Sequence, residues 1–315
     1  MAAGTLTSTT RFGIGEWYGK PLTALSPEQR RDFAKMQLIR QVGRPPQPCP
    51  FGEMTSCWKV GGVCSLRKYQ WSAKTGAVSV ASEGGGLRTT CPSRFEENGV
   101  IHRWIGEVIL NNPNARPIGQ VSFLQHVPLI GMKEDQLFHK EEVGRIDNVL
   151  LVPGTRPLQW CAVEIQAVYF SGDRMEREFE EILAAGDALP LPAGRRRPDY
   201  RSSGPKRLMP QLQIKVPTLR RWGKKMAVVV DEDFFRAMGK MKVEDDMSNC
   251  DVAWFVARYD ENLKLVRGDV YLTTLEESVQ SLVAGRPVSL SEFEQRIQAK
   301  LSALGSGPHQ APSNK

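Results

Sequence analysis

Apolar positions are unevenly patterned along this chain, and the pattern divides it. Residues 1–25 show no period and read as irregular. Ser26-Pro27-Glu28 opens a helix: Ser as N-cap, Pro in the first turn, an acid favoured by the dipole. Phe33, Met36, Leu38 and Ile39 give it a rough helical stripe to about Val42, where Gly43 and Pro45-Pro46 stop it. Residues 47–95 are rich in Cys, Gly and Ser and lack a periodic apolar pattern, so they are expected to bury little core and to need another anchor. A short helix is predicted within 96–112, around Ile101, Trp104, Ile105 and Val108.

Beyond Val143 the character changes. Val143–Val152 and Gln159–Phe170 read as strands, and Arg174–Ala185 as a helix with Met175, Phe179 and Ile182 on one face. Further strands are predicted at 226–230, 252–259 and 264–272, and helices at 231–241, 274–284 and 289–303. Thr274 with Glu277, and Ser289 with Glu292, have capping-box spacing. The class is therefore α/β or α+β, a mixed central sheet flanked by helices. The expected organisation is an N-terminal helix and cysteine segment over 1–95, a core over 96–304 with a basic insertion at 191–225, and a disordered tail at 305–315.

Composition changes this picture little: 315 residues, 41% apolar and 24% charged, are ordinary for a globular chain. No basic stretch followed by an apolar run opens the chain, and no run approaches the ~18 apolar residues of a membrane helix. The expectation is a cytoplasmic protein, prokaryotic in origin, with no membrane partner. Charge changes the picture more. The chain carries +7, but Leu191–Lys225 alone carries eleven Lys/Arg and one acid, so the remainder is about −3 by difference. Arg195, Arg196, Arg197, Arg201, Lys206, Arg207, Arg220 and Arg221 are candidate DNA contacts, with Lys215, Lys224 and Lys225 in the same run. A flexible Arg-rich segment suits phosphate, because each neutralised phosphate releases counterions. A solvated loop without a ligand is the plainer alternative.

Two constellations carry chemistry. Cys49-x7-Cys57-x6-Cys64-x26-Cys91 offers four thiolates, flanked by Pro50, Gly52, Gly61, Gly62 and Pro92, for a tetrahedral structural site of zinc or iron; free buried thiols are the alternative. Cys161 and Cys250 sit in or beside apolar runs and read as core. The second is a strand. In Trp160–Phe170, alternation puts Ala162, Glu164, Gln166 and Val168 on one face, with apolar residues on both, so the strand should be covered on both sides. A buried Glu164 needs a cation or metal partner. Asp147 lies seventeen residues earlier in another apolar strand, and a hairpin through Pro153–Pro157 would bring the carboxylates together on one divalent ion. An Arg partner for Glu164 is the alternative. His102, His126, His139 and His309 show no ligand spacing.

A strand-borne Asp followed by Glu-x-Gln resembles the PD-(D/E)xK nuclease core, with Gln166 where Lys is usual; Gln cannot act as a base, but its amide can orient water. In order, Cys49-Pro50-Phe51, Cys57, Gly62-Val63-Cys64, Cys91-Pro92, Asp147, Val163-Glu164-Ile165-Gln166, Phe170-Ser171-Gly172, Leu191–Arg195 and Ala253-Trp254-Phe255-Val256 resemble the NotI-type restriction endonucleases. The resemblance implies a homodimeric type II enzyme that cuts double-stranded DNA at a palindromic site using Mg2+. It implies Asp147 and Glu164 as Mg2+ ligands, Gln166 as the residue placing water, and structural iron at the four cysteines. The cysteine spacings depart from the family, and its additional upstream acid has no single match; Glu107, Glu134, Glu141 and Glu142 are all candidates. The rival expectations are a non-catalytic, metal-stapled nucleic-acid-binding protein, and a less specific repair or defence nuclease on the same core.

Overall fold

The computed structural model describes residues 9–39, 47–52, 56–124, 144–284 and 288–305. Its first body is an antiparallel sheet. β1 (Thr10–Trp17) pairs with β2 (Lys20–Pro21) and β3 (Val63–Trp71), and β3 also takes β4 (Val78–Val80) and β5 (Arg88–Thr89). α1 (Pro27–Leu38) begins with a complete capping box between Ser26 and Gln29. Ile14, Trp17, Leu66 and Tyr69 from the strands share one core with Ala34 of α1.

The second body is built on a six-stranded sheet. After α2 (Val100–Leu110) come β6 (Arg116–Ile118), β7 (Val121–Ser122), β8 (Arg145–Ile146), β9 (Asn148–Val152) and β10 (Gln159–Ile165). β11 (Phe170–Ser171), α3 (Glu176–Ala184), β12 (Arg197–Pro198), α4 (Tyr200–Ser203) and α5 (Met209–Arg221) follow. β13 (Met226–Asp231), α6 (Glu232–Arg236), β14 (Val252–Tyr259), β15 (Leu265–Thr273), α7 (Leu275–Val283) and α8 (Leu290–Gly305) complete the order. The sheet runs β15-β14-β13-β10-β9-β6, with β10, β13 and β14 parallel and the outer pairs antiparallel. One face carries a core of Ile101, Trp104 and Ile105 from α2 against Cys161, Val163 and Phe255. The other carries Leu212, Val216 and Leu219 of α5 against Ala162, Val228 and Trp254. Every residue of β13 is buried, as a central strand between two helical layers requires.

The mixed sheet flanked by helices is as expected, and β10 is covered on both faces with Cys161 and Cys250 in the core. Five expectations are corrected. The described part of the stretch 1–25 is not irregular: β1 lies there. Residues 47–95 do bury core, through Val63, Leu66 and Tyr69 of β3. The run at 191–225 is not a flexible insertion, since a π-helical turn at Gly204–Leu208 feeds α5, whose apolar stripe is buried. The strand expected to reach Phe170 leaves the sheet after Ile165, and the helix expected to reach residue 241 ends at Arg236. α3 crosses between the bodies: its Phe179 and Ile182 fill the N-terminal core, with Phe179 stacked on Trp17 at 5.2 Å.

Candidate active site

The register of β9 against β10 pairs Val163 with Asn148, so Asp147 stands opposite Glu164 one residue further on. Asp147 lies in the break between β8 and β9, half-exposed, while Glu164 is buried. Lys215 reaches both from α5: its Nζ donates to Glu164 Oε2 at 2.7 Å and to Asp147 Oδ2 at 3.4 Å. Burial pushes the Glu164 carboxyl up; the Lys215 ammonium pulls it back, and the like charge of Asp147 adds to the rise. The two carboxylates thus meet at one cation position. The cation there is Lys215, where an Arg was the alternative.

In the sequence Lys215 stands as one member of a basic run, yet it sits at i+3 from Leu212 and i+4 before Leu219, on the stripe that α5 buries. A lysine on a buried helical face needs a carboxylate partner. Gln166 keeps its backbone N–H on Val229 O at 2.9 Å, so it still tracks β13 after β10 has ended. Its amide nitrogen donates to its own neighbour, Ala167 O, at 2.6 Å. Of the upstream acids, Glu107 is held on α2 by Arg267, at 2.5 and 2.8 Å. Glu134, Glu141 and Glu142 lie outside the described residues, as do His126, His139 and His309.

Asp147, Glu164 and Gln166 line an open cleft of about 820 Å3, which Lys206 and Arg207 border from the π-helical turn before α5. Arg207 also lies over the Tyr169 ring at 4.7 Å. Trp58 and Lys59, from the cysteine segment, also line it. A second open cleft of about 650 Å3 gathers Arg11 of β1, Lys68 of β3, Arg195 and Arg197, and Arg196 lines both. Not all of the basic run faces a cleft. Arg196 is buried against Glu178 and the carbonyls of Asp173 and Arg174. Arg220 is taken by Asp251 and Glu276, and Arg221 donates to the Thr218 hydroxyl at 3.1 Å. Arg195, Arg197, Arg201, Lys206 and Arg207 have exposed side chains.

The four cysteines are neighbours in part. The amides of Thr90 and Cys91 both donate to Cys64 O, at 3.0 and 3.2 Å, which fixes two cysteines side by side. The Cys57 amide donates to Gln47 O at 2.5 Å, near Cys49. Burial raises the thiols of Cys57, Cys64 and Cys91, and each of the three feels at least one of the other cysteines. Lys59 donates to Thr90 O at 2.7 Å, and the three sulfurs favour its charge against burial. Among the described residues, no group of three or more His, Cys, Asp or Glu is arranged to hold a metal ion.

No described helix is long and apolar enough to cross a membrane. No curated protein matches the chain. Residues 33–272 match the family model for the restriction endonuclease NotI, a stretch running from α1 through β15 and containing the carboxylate pair, the basic run and all six cysteines. The chain therefore belongs to the NotI restriction endonuclease family, whose members are type II, site-specific enzymes acting on DNA.

Proposed function

We propose that this chain hydrolyses phosphodiester bonds of double-stranded DNA at a palindromic site, in a Mg2+-dependent reaction, as a homodimer. One observation carries the reading: two carboxylates from adjoining antiparallel strands share a single cation position inside a basic cleft. The donor set fits a hard cation, because Asp147 and Glu164 offer two anionic carboxylates, all oxygen donors, against the single charge of Lys215. Bound at Asp147 and Glu164, Mg2+ would polarise the scissile phosphate and lower the pKa of a coordinated water. Lys215, held at Glu164, offsets the repulsion of the two carboxylates as an anionic backbone enters. Gln166, once freed from Ala167 O, would orient the attacking water. Lys206 and Arg207 hold phosphates along the cleft, while Arg195 and Arg197 do so along the second one. Two-fold symmetry of the enzyme would match that of the site.

Plasmid incubated with Mg2+ tests this. Discrete fragments are expected, with one recurrent sequence at their ends, and none with chelator or with Asp147→Asn. Asp147 is the better position to change because it is half-exposed and its loss leaves Lys215 on Glu164. Fragments that persist in Asp147→Asn overturn the assigned centre; scattered ends overturn the fixed site.

We also propose that Cys49, Cys57, Cys64 and Cys91 hold a structural iron or zinc. Four thiols suit either ion, and the backbone bonds at Cys64 and Cys57 support convergence. Raised thiols must release protons to bind, so occupancy should fall as pH falls. Elemental analysis of the purified protein should find close to one metal per chain, lost in Cys64→Ser with Cys91→Ser.

A further inference from the structure

A ring and a cation meet in the active cleft, on segments that also carry the carboxylate site. Tyr169 lies three residues after Gln166, on the chain that has just left β10. Its backbone is pinned twice. The Tyr169 amide donates to the Ser203 hydroxyl at 2.8 Å, and its carbonyl accepts the Asp199 amide at 2.7 Å. Val168 before it is buried, while the Tyr169 side chain is 47% exposed and borders the same cleft as Asp147 and Glu164.

Arg207 comes from the π-helical turn Gly204–Leu208, eight residues before Lys215. The Met209 amide closes that turn on Gly204 O, five residues back, and Leu208 anchors it in the core. Arg207, next to that anchor, is exposed, and its guanidinium lies over the Tyr169 ring at 4.7 Å. Arg94 also lies over rings, but its N–H groups are taken up by Glu16, Glu97 and Leu263 O. Arg207 forms no hydrogen bond or ion pair with a described residue. A guanidinium laid on a ring keeps its planar fork of N–H groups at the edge, and that fork matches phosphate oxygens bidentately. Lys59 borders the same cleft, and the Arg207 charge opposes its own. An anion reaching both would relieve that repulsion.

We propose that Tyr169 is a positioning residue: its ring holds the Arg207 guanidinium ready to take a backbone phosphate of DNA in the active cleft. This rests on the reading that Arg207 holds a phosphate, and adds what fixes the side chain before DNA arrives. An unstacked Arg would lose its rotamer freedom only on binding, at a cost in affinity. Tyr169 supplies a π face and no charge, so the ring matters and the hydroxyl does not.

Fluorescence anisotropy of a short labelled DNA duplex of mixed sequence tests it on the full chain, over a salt series in chelator so that the strands stay whole. Arg207→Ala should weaken binding about fivefold or more, and lower the slope of log affinity against log salt by about 0.9, as loss of one phosphate contact requires. Tyr169→Leu should weaken binding roughly two- to fivefold with the slope unchanged, since no charge is removed. Tyr169→Phe keeps the face and should bind like the unaltered chain. In an Arg207→Ala background, Tyr169→Leu should have no further effect. Thermal unfolding of Tyr169→Leu should match that of the unaltered chain, because Tyr169 enters none of the three cores. Full affinity in Tyr169→Leu, further weakening in the Arg207→Ala background, or weak binding by Tyr169→Phe overturns the positioning role and leaves Arg207 a phosphate contact. Unchanged binding by Arg207→Ala overturns the phosphate reading of Arg207, and the role of Tyr169 with it.

Discussion

The two sheets solve burial differently. The six-stranded sheet is apolar through its middle, with β13 and β14 contributing Val228, Val229, Trp254 and Phe255, and it buries Lys215 at the carboxylate pair. The N-terminal sheet is held by buried ion pairs instead. Arg94 spans Glu16, at 2.9 and 3.0 Å, and Glu97, at 2.7 Å, and stacks between Phe51 and Tyr259. Arg196 joins Glu178, whose other oxygen accepts the Ile14 amide at 2.9 Å. Both arrangements bury charge, but the carboxylates of the Lys215 cluster open on the same cleft that Arg196 borders, whereas Arg94 is closed in between Phe51 and Tyr259. The lesson is that a buried cation can be mortar or a place-holder, and that access to solvent separates the two.

The strongest way to break that distinction is to remove each cation. Arg94→Met strands two buried carboxylates and Lys215→Met strands one, with Asp147 half in water. Losses of about 3–5 kcal/mol are expected for either, the larger for Arg94. Thermal melts with and without Mg2+ then separate them: Mg2+ should recover much of the loss in Lys215→Met and none in Arg94→Met. Equal indifference of both variants to Mg2+ would remove the place-holder reading.

A smaller effect lies where the sheets meet. Asp231 ends β13, is fully buried, and accepts the Thr89 amide of β5 at 2.9 Å and the Phe234 amide at 2.8 Å. Burial pushes its carboxyl up to about 6, against the pull of those two amides. A carboxyl raised in the fold favours folding below its unfolded pKa, and that contribution is lost as pH rises through the folded value. Stability tied to Asp231 should therefore fall by about 2–3 kcal/mol between pH 4 and pH 6. Asp231→Asn should remove this slope. The melting-temperature gap between the unaltered chain and the variant should then narrow as pH rises; a constant gap would show that the carboxylate is well solvated.

The same difference decides what was legible in the sequence. β13 and β14 announce themselves as apolar runs, and the β9–β10 hairpin could be read from two carboxylates set among Val, Leu and Ile. β1 could not. Thr-Arg-Phe-Gly-Ile-Gly-Glu-Trp has two glycines and a buried Glu16 whose partners, Ser65 and Arg94, lie 49 and 78 residues away. Its glycines are there for close approach: a Cβ at Gly13 would meet the Pro192 ring at 2.3 Å. Where polar residues are buried in long-range pairs, alternation no longer reports the core. In the active site, Asp147 and Glu164 were legible because both come from strands adjacent in sequence. Lys215 was not, because its charge hid a buried helical position inside a basic run.

The finest test asks whether the N-terminal sheet also meets DNA. Arg11 and Lys68 come from strands 57 residues apart, yet they share a cleft with Arg195 and Arg197. Arg11 is anchored by the carbonyls of Pro192 and Ala193, at 3.4 and 2.9 Å, and Lys68 sits 5.6 Å over the Phe12 ring. The nearby acids are spent, Glu178 on Arg196 and Asp173 on the Arg195 amide. A backbone phosphate would meet net positive charge here. Because Arg196 lines both clefts, one strand of a duplex could pass from the carboxylate pair to this cradle. Each phosphate contact removed should reduce the slope of log affinity against log salt by about 0.9. Lys68→Ala is therefore expected to weaken binding to all sequences alike, by a few-fold at moderate salt, and to leave the rate at saturating DNA unchanged. Fluorescence anisotropy over a salt series reads the slope, and single-turnover cleavage reads the rate. An unaltered slope would confine the DNA-binding surface to the nuclease sheet and leave the N-terminal sheet a purely structural wall.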